Sequence, residues 1–413
     1  MQKESASKRL FWCLFVVYVI NVFGKIAYSA VTVELVGEGV LTKTEAGLVG
    51  AMFWLIYAIG QIFGGMVANK LSPYFMLGFT FLGSVATNAL MFVAKGFIPM
   101  LIIWSVNGFV QFGMWPAILK LLTTEIVPAQ RGRATTLISY CYCIGSILSY
   151  FLTSLILLVF DWEYMFAFCA AANLFCFFFV ELTRRKCSPS LKEVEDEQIF
   201  ERKPKPKLTA RLAIESGLGF FCVMMFIRSL HESSVKTWMP TILTETYAAS
   251  SSFTLMLSVV LLAVNLFGVT VAFFIHRKAR RNEAGTVSIL YAITLPLMLM
   301  LTGFRSYNII FTTVIMTVMT LLFYGAGQVI IMLFSSRFQN LGLTATVGGI
   351  INSFAAFGNV AASYGGGFVA DNFGWDALIW VWFALGAIFV TLSVSTIFIY
   401  RKFKRRTAMM QQQ

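Results

Sequence analysis

Long apolar runs follow one another along the chain, each closed by a few polar, glycine or proline residues. A helix needs about 20 apolar residues to cross a hydrocarbon core. The runs at 10–35, 45–69, 74–94, 97–122, 133–159, 163–183, 212–240, 251–275, 285–303, 308–335, 343–370 and 376–400 therefore predict twelve membrane-spanning helices. The first begins just after Lys8 and Arg9 and is longer than the roughly 7–15 apolar residues of a cleavable signal. It is kept as helix 1.

The pattern breaks once. Between Arg184 and Arg211 the hydrophobic signal gives way to RRKCSPSLKEVEDEQIFERKPKPKLTAR, a charged, Pro-containing linker. It divides the chain into a six-helix bundle over 1–183, a cytoplasmic linker over 184–211, and a second six-helix bundle with a basic tail over 212–413. Six plus six is the plan of transporters built from repeated bundles. A weak internal likeness agrees with it: span 2 ends in GQIFGGMVANK and span 8 in LFGVTVAFFIHRK, while span 4 carries NGFVQ and span 10 YGAGQ. The expected fold is an all-α membrane protein of two pseudo-symmetric bundles.

Composition sharpens this picture. The chain is 58% hydrophobic and 12% charged, against about 25% charged in soluble domains, so its main solvent is the lipid bilayer. A net charge of +13 invites a nucleic-acid reading, but the placement of the basic residues argues for topology instead. Of 32 Lys and Arg, 25 fall at the N-terminus, in even-to-odd loops and at the C-terminus. Lys43, Lys95, Lys236 and Arg305 fall on the other side, and Lys25, Lys120 and Arg228 lie inside spans. By the positive-inside rule both termini are cytoplasmic, and a bacterial cytoplasmic membrane is the expected location. Six of the seven cysteines lie in apolar runs and Cys187 in the linker, so no disulfide is expected.

Charges inside spans are the candidates for chemistry, because each costs at least about 2.5–3.5 kcal/mol at mid-membrane. Lys25 stands in VINVFGKIAYSAV with no local partner, since Glu34 lies too far along the helix. Either a substrate anion neutralises it, at about 4 kcal/mol for charges 4 Å apart at an effective dielectric of 20, or a carboxylate on another helix does, or it snorkels out. In span 7, FIRSLHESSVKTW puts Arg228, His231, Glu232 and Val235 on one face. Span 7 is the counterpart of span 1, so Arg228 is expected to face Lys25 across the two halves. Alternatively, Arg228 and Glu232 neutralise each other at i, i+4. His231 and Glu232 are the candidate proton carriers.

Lys120 and Arg131 read as interfacial anchors or gate residues. Tyr28, Tyr57, Gln61, Gln111, Trp115, Tyr142, Tyr324 and Asn352 are polar or aromatic residues inside spans that either line a wet cavity or bond neighbouring helices. The Gly-rich span 11 reads as a close-packing surface. There is no Walker lysine loop, no strand context for a nucleotide-binding glycine motif and no metal-ligand cluster. The chain is therefore expected to be no enzyme, to need no cofactor or metal, and to draw energy from a gradient.

Several segments resemble the organophosphate:phosphate antiporter family of the major facilitator superfamily. These are NGFVQFGMWPAILKLLTTEIVPAQRGRATT from span 4 into span 5, LTKTEAGLVGAMFWLIYAIGQIFGGMVANK around span 2, and GGFVADNFGWDALI between spans 11 and 12. The resemblance implies the major facilitator fold and alternating access. It places the family's span 1 arginine at Lys25, its span 2 lysine at Gln61, the nearby tyrosine at Tyr57 and its span 5 histidine at Tyr142. Counted back from Trp238, its span 7 arginine falls on Glu232, with Arg228 one turn earlier. Met114 interrupts the family's Gly-Trp-Pro.

The reading is a monomeric secondary transporter of a small organic anion, a phosphorylated metabolite exchanged for phosphate, with no nucleic-acid partner. Proton- or sodium-coupled carriage of a sugar acid or other carboxylate is the alternative. A third reading, taken from the resemblance, is a sugar-phosphate sensor that does not transport.

Overall fold

A computed structural model of the chain describes residues 2–68, 71–138, 140–191, 209–279, 282–304, 308–338 and 343–410. Most of the predicted linker, at 192–208, lies outside them, as do Arg305 and the Gln61 side chain. Among the described residues the regular structure is helical throughout.

In chain order come α1 (Gln2–Gly37), α2 (Lys43–Ala68), α3 (Pro73–Val93) and α4 (Phe97–Val110), which continues through a 3₁₀ turn at Gln111–Gly113 into α5 (Met114–Thr124). Then follow α6 (Pro128–Ile138), α7 (Cys141–Ile156), α8 (Glu163–Leu191), α9 (Ala210–Glu215), α10 (Leu218–Tyr247), α11 (Ser251–Asn265) and α12 (Gly268–Lys278). The chain closes with α13 (Glu283–Phe304), α14 (Ile309–Gln328) with a π-helical turn at Val329–Phe334, and α15 (Thr344–Met410).

Local chemistry sets many of these boundaries. Thr42 and Glu45 form a reciprocal capping box at the start of α2, with bonds of 2.9 and 3.1 Å. Pro73 opens α3, where its missing N–H costs nothing. The Asn308 side chain accepts from the Ile310 and Phe311 amides to cap α14.

Among the described residues eight helical segments are long and apolar enough to cross a bilayer. The last, Val347–Phe398, is 52 residues long, and helix at 1.5 Å per residue then has the length of two crossings of a core about 30 Å thick. Gly374, with φ of 80°, breaks the helical path there; only glycine adopts that backbone cheaply. With α2, α7 and the charge-bearing α10, the crossings make the expected twelve-helix fold.

One boundary differs from the sequence reading. The apolar run of span 7 reads as ending at residue 240, yet α10 passes through Pro240 to Tyr247 and stops at Ala248 in left-handed conformation. A proline inside a membrane helix forfeits one backbone bond, which neighbouring groups can replace. Lys236, assigned above to the side away from the termini although it falls inside the 212–240 run, lies within the body of this helix.

The described chain forms two compact units. One comprises Met1–Leu41, Met52–Glu201 and Ser251–Val259; the other comprises Thr42–Ala51, Arg202–Ser250 and Val260–Gln413. In the first, α1 packs on α7 and α8, and α3 on α8, α4 and α5. Leu10, Leu14, Val17, Leu77, Phe81, Ile118 and Leu121 form the centre of its apolar core. Ser154 on α7 and Ser252 on α11 exchange hydrogen bonds within it, at 3.0 and 2.8 Å.

In the second unit α10 lies against α15 and α14. The glycines of span 11 allow the approach: a Cβ at Gly358 would come within 2.9 Å of Ser229 Cβ, and one at Gly366 within 2.7 Å of the Trp238 ring. The close-packing surface read from the sequence is thus the seat of α10. The first turns of α2 also belong to this unit. Lys43 pairs with Glu245 at 3.0 Å, Trp375 Nε1 donates to the same carboxylate at 2.7 Å, and the Thr44 amide and hydroxyl both donate to Asp371 at 2.5 Å.

Candidate functional site

Among the described residues the buried Asp, Glu, Lys and Arg side chains are Lys25, Arg228, Glu232 and Glu283. Glu283 is answered by Arg337, which bonds one carboxylate oxygen through Nε at 2.8 Å and Nη2 at 2.7 Å. The other three are the residues that the sequence marks as intramembrane charges.

Lys25 projects from α1 and is 6% exposed. Its ammonium sits 4.1 Å from the centroid of the Tyr57 ring on α2, a cation–π contact worth about 2 kcal/mol when desolvated. Among the described residues no carboxylate is within ion-pair reach of it. Tyr57 stacks on Phe53, Phe53 on Trp104, and Trp104 meets Tyr28, so one aromatic wall joins α1, α2 and α4.

The remaining candidates of this unit are spread out. Trp115 packs against Tyr18 at 5.7 Å. Gln111 is buried in a polar interlock: it accepts from Asn21 Nδ2 at 2.8 Å and donates to Ser84 Oγ at 2.9 Å. This bond network joins α1, α3 and α4, as interhelical polar contacts in membranes do. Tyr142 is exposed on α7. Lys120 Nζ donates to the Leu71 carbonyl at 3.2 Å and Arg131 Nε to the Ile126 carbonyl at 2.8 Å, so both fasten loop backbone.

In the other unit α10 carries a three-residue charge cluster. Arg228 Nη2 bonds Glu232 Oε2, and Lys236 Nζ bonds Glu232 Oε1. The spacing of i, i+4, i+8 puts all three on one face. Arg228 and Glu232 are each 7% exposed, and the Lys236 side chain 20%. Arg228 is also held from behind: its Nε donates to the Phe323 carbonyl at 2.9 Å and its Nη1 to Ser229 Oγ at 3.4 Å. Gly327 makes room for it, since a Cβ there would lie 2.5 Å from the guanidinium carbon. The Tyr324 ring lies 6.0 Å from Arg228 and 5.8 Å from Lys236.

His231 belongs to a different set of contacts. Its ring nitrogens meet Tyr291 Oη at 3.4 Å and the Trp382 carbonyl at 3.0 Å, and its ring stacks on Phe323 at 5.1 Å. Asn352 is exposed on α15. Lys236 is the residue that the sequence reading missed; its i+4 spacing from Glu232 was the available signal.

Among the described residues Lys25 stands in one unit without a carboxylate, and in the other two cations flank one carboxylate, so each set carries one net positive charge, a setting that attracts anions. Comparison with known proteins agrees in kind. The family model of the Major Facilitator Superfamily matches residues 14–363.

The chain belongs to the Major Facilitator Superfamily.

A "Probable hexose phosphate transport protein" of Chlamydia pneumoniae is 22% identical over 420 residues, covering 94% of this chain and 90% of that protein. The membrane sensor protein UhpC of Salmonella typhimurium is 21% identical over 146 residues, 35% of this chain and 33% of the sensor. Among solved structures, a bacterial homolog of the human lysosomal transporter Spinster, inward-facing and occupied, superposes with a TM-score of 0.73 at 14% identity over 96% of each chain. The resemblance read from the span 2 and span 4 segments to the organophosphate:phosphate antiporters therefore holds, and this major facilitator protein is a membrane transporter in kind, not an enzyme.

Proposed function

We propose that this transporter carries a phosphorylated sugar or similar small organophosphate, exchanged for inorganic phosphate by alternating access. The observation that carries the proposal is Lys25, a buried ammonium backed by the Tyr57 ring and with no carboxylate partner among the described residues. A mid-membrane cation of that kind is retained at a cost of at least about 2.5–3.5 kcal/mol, and a substrate anion repays it. In the other unit Arg228, with the Tyr324 ring beside it, is a second buried cation. The length of the likeness to the hexose phosphate transport protein, 94% of the chain, favours a phosphate ester over a carboxylate. The basic-residue asymmetry supports cytoplasmic termini, in a bacterial inner membrane.

The sensor reading has a specific observation behind it, the likeness to UhpC, but over 35% of the chain only. Transport measurement separates the two. Proteoliposomes containing the wild type, preloaded with phosphate or with none, are given labelled phosphate, glycerol 3-phosphate or glucose 6-phosphate. Uptake that requires internal phosphate and is lost in Lys25→Ala is the expected result. Folded wild type that takes up none of the three labels would overturn the proposal. Uptake of a sugar acid under a proton gradient would then point to symport.

A further inference from the structure

Glu232 stands where an anionic ligand would: between two cations, inside an apolar region, on the helix that the family resemblance singles out. Building on the organophosphate reading, we infer that Glu232 is a tethered counter-anion, occupying Arg228 and Lys236 while no substrate is bound and displaced from them by the anion that is carried.

The geometry separates what is fixed from what can move. Arg228 is anchored by the Phe323 carbonyl and Ser229 Oγ, and it fills the space that Gly327 leaves open. It cannot follow a departing partner. Glu232 has a different situation: among the described residues its oxygens bond the Arg228 and Lys236 side chains, with no backbone group holding them. An incoming anion that reaches the cluster therefore finds a stationary guanidinium and a carboxylate able to swing aside. Once Glu232 has left, the guanidinium offers a free edge to acceptor oxygens and the ammonium a second point of contact.

A competitor of this kind sets a charge threshold. A monocarboxylate arriving from solution only replaces one carboxylate by another, and the tethered one has the advantage of effective concentration. A phosphoryl group carries about −1.5 to −2 charges near neutral pH and three acceptor oxygens, so it engages both cations at once and outcompetes the tether. The device also explains how a site with buried cations can release a dianion. Glu232 returns to Arg228 and Lys236 as the substrate leaves, so the empty cluster is never left without an anion.

Removal of the Glu232 charge should therefore tighten anion binding. The test uses the purified full-length protein, with Glu232→Gln, Glu232→Asp and wild type, and calorimetric binding of sulfate, phosphate, glucose 6-phosphate and gluconate. In Glu232→Gln the affinity for glucose 6-phosphate and sulfate is expected to rise at least about tenfold, equivalent to about 1.4 kcal/mol. Gluconate, a monocarboxylate, gains measurable binding. Phosphate exchange in proteoliposomes slows about tenfold, because release is now the hard step. Glu232→Asp, one methylene shorter, reaches the cations less well and tightens binding several-fold.

Unchanged or weaker dianion binding in folded Glu232→Gln overturns the inference and leaves Glu232 as a neutralising partner of Arg228. Should that variant not fold, Glu232→Asp decides, and no tightening there has the same meaning. Sulfate separates this from the organophosphate reading. Wild type that ignores phosphate esters, while Glu232→Gln gains sulfate affinity, refutes the substrate assignment and sustains the tether. Wild type that exchanges phosphate esters, with no gain in either variant, does the reverse.

Discussion

Replacement of Lys25 by methionine should stabilise the protein and disable it at once. The methionine keeps the length and apolar stem of lysine without the charge. In the empty protein, a mid-membrane ammonium costs about 2.5–3.5 kcal/mol, and the ring of Tyr57, 4.1 Å away, returns about 2 kcal/mol. Among the described residues no carboxylate adds to that return. The difference, about 1 kcal/mol, is released in Lys25→Met, which should melt about 1–2 °C above wild type. With substrate bound the sign reverses. A unit pair at about 4 Å and an effective dielectric of 20 is worth about 4 kcal/mol, so KM for exchange should rise by up to about three decades. Lys25→Arg, which keeps the charge and restores the residue type implied by the family, should exchange within about tenfold of wild type. The assays are fluorescence-monitored melting of purified protein and phosphate-driven exchange in proteoliposomes. A Lys25→Met protein that melts several degrees below wild type and still exchanges with unchanged KM would refute the reasoning, because the lysine would then be a structural cation.

Other outcomes follow from the same contacts. Gly327→Ala places a methyl group 2.5 Å from the Arg228 guanidinium carbon; overpacking of this order costs about 1–3 kcal/mol, and exchange should fall at least about tenfold, whereas wild-type exchange would show that Arg228 is free to move aside. Arg337→Gln leaves Glu283, 1% exposed, without its cation, and breaking a buried pair costs about 3–5 kcal/mol; a melting temperature recovered in part by adding Glu283→Gln is the expected signature, and a double variant worse than the single would argue against it. Gly358→Val should prevent α15 from seating on α10, reducing the yield of folded protein, and a normally folded variant would contradict the close approach.

Much of this protein was legible in the sequence, because the bilayer imposes a length and a polarity that single residues cannot evade. The twelve runs, the long charged linker and the rarity of charges within spans all express one fact: hydrocarbon offers no partner for a polar group. Arg228, Glu232 and Lys236 form a contact set inside one helix, and such i, i+4 relations are fixed by helix geometry alone. Lys236 already lies inside the 212–240 run, and its i, i+4 relation to Glu232 was there to be read.

Relations between helices were a different matter. Nothing in the chain order states that Lys25 meets the face of Tyr57, that Gln111 is consumed by Asn21 and Ser84, that His231 turns to Tyr291 and the Trp382 carbonyl, or that Gly327 exists to accommodate Arg228. Each depends on the rotation of one helix against another. In an apolar solvent that rotation is set by packing and a few polar contacts, and a hydrophobic stripe, which in a soluble helix would announce its inward face, carries no such signal here. The sequence by itself determined which charges lie in the membrane; the tertiary structure decided which of them have partners.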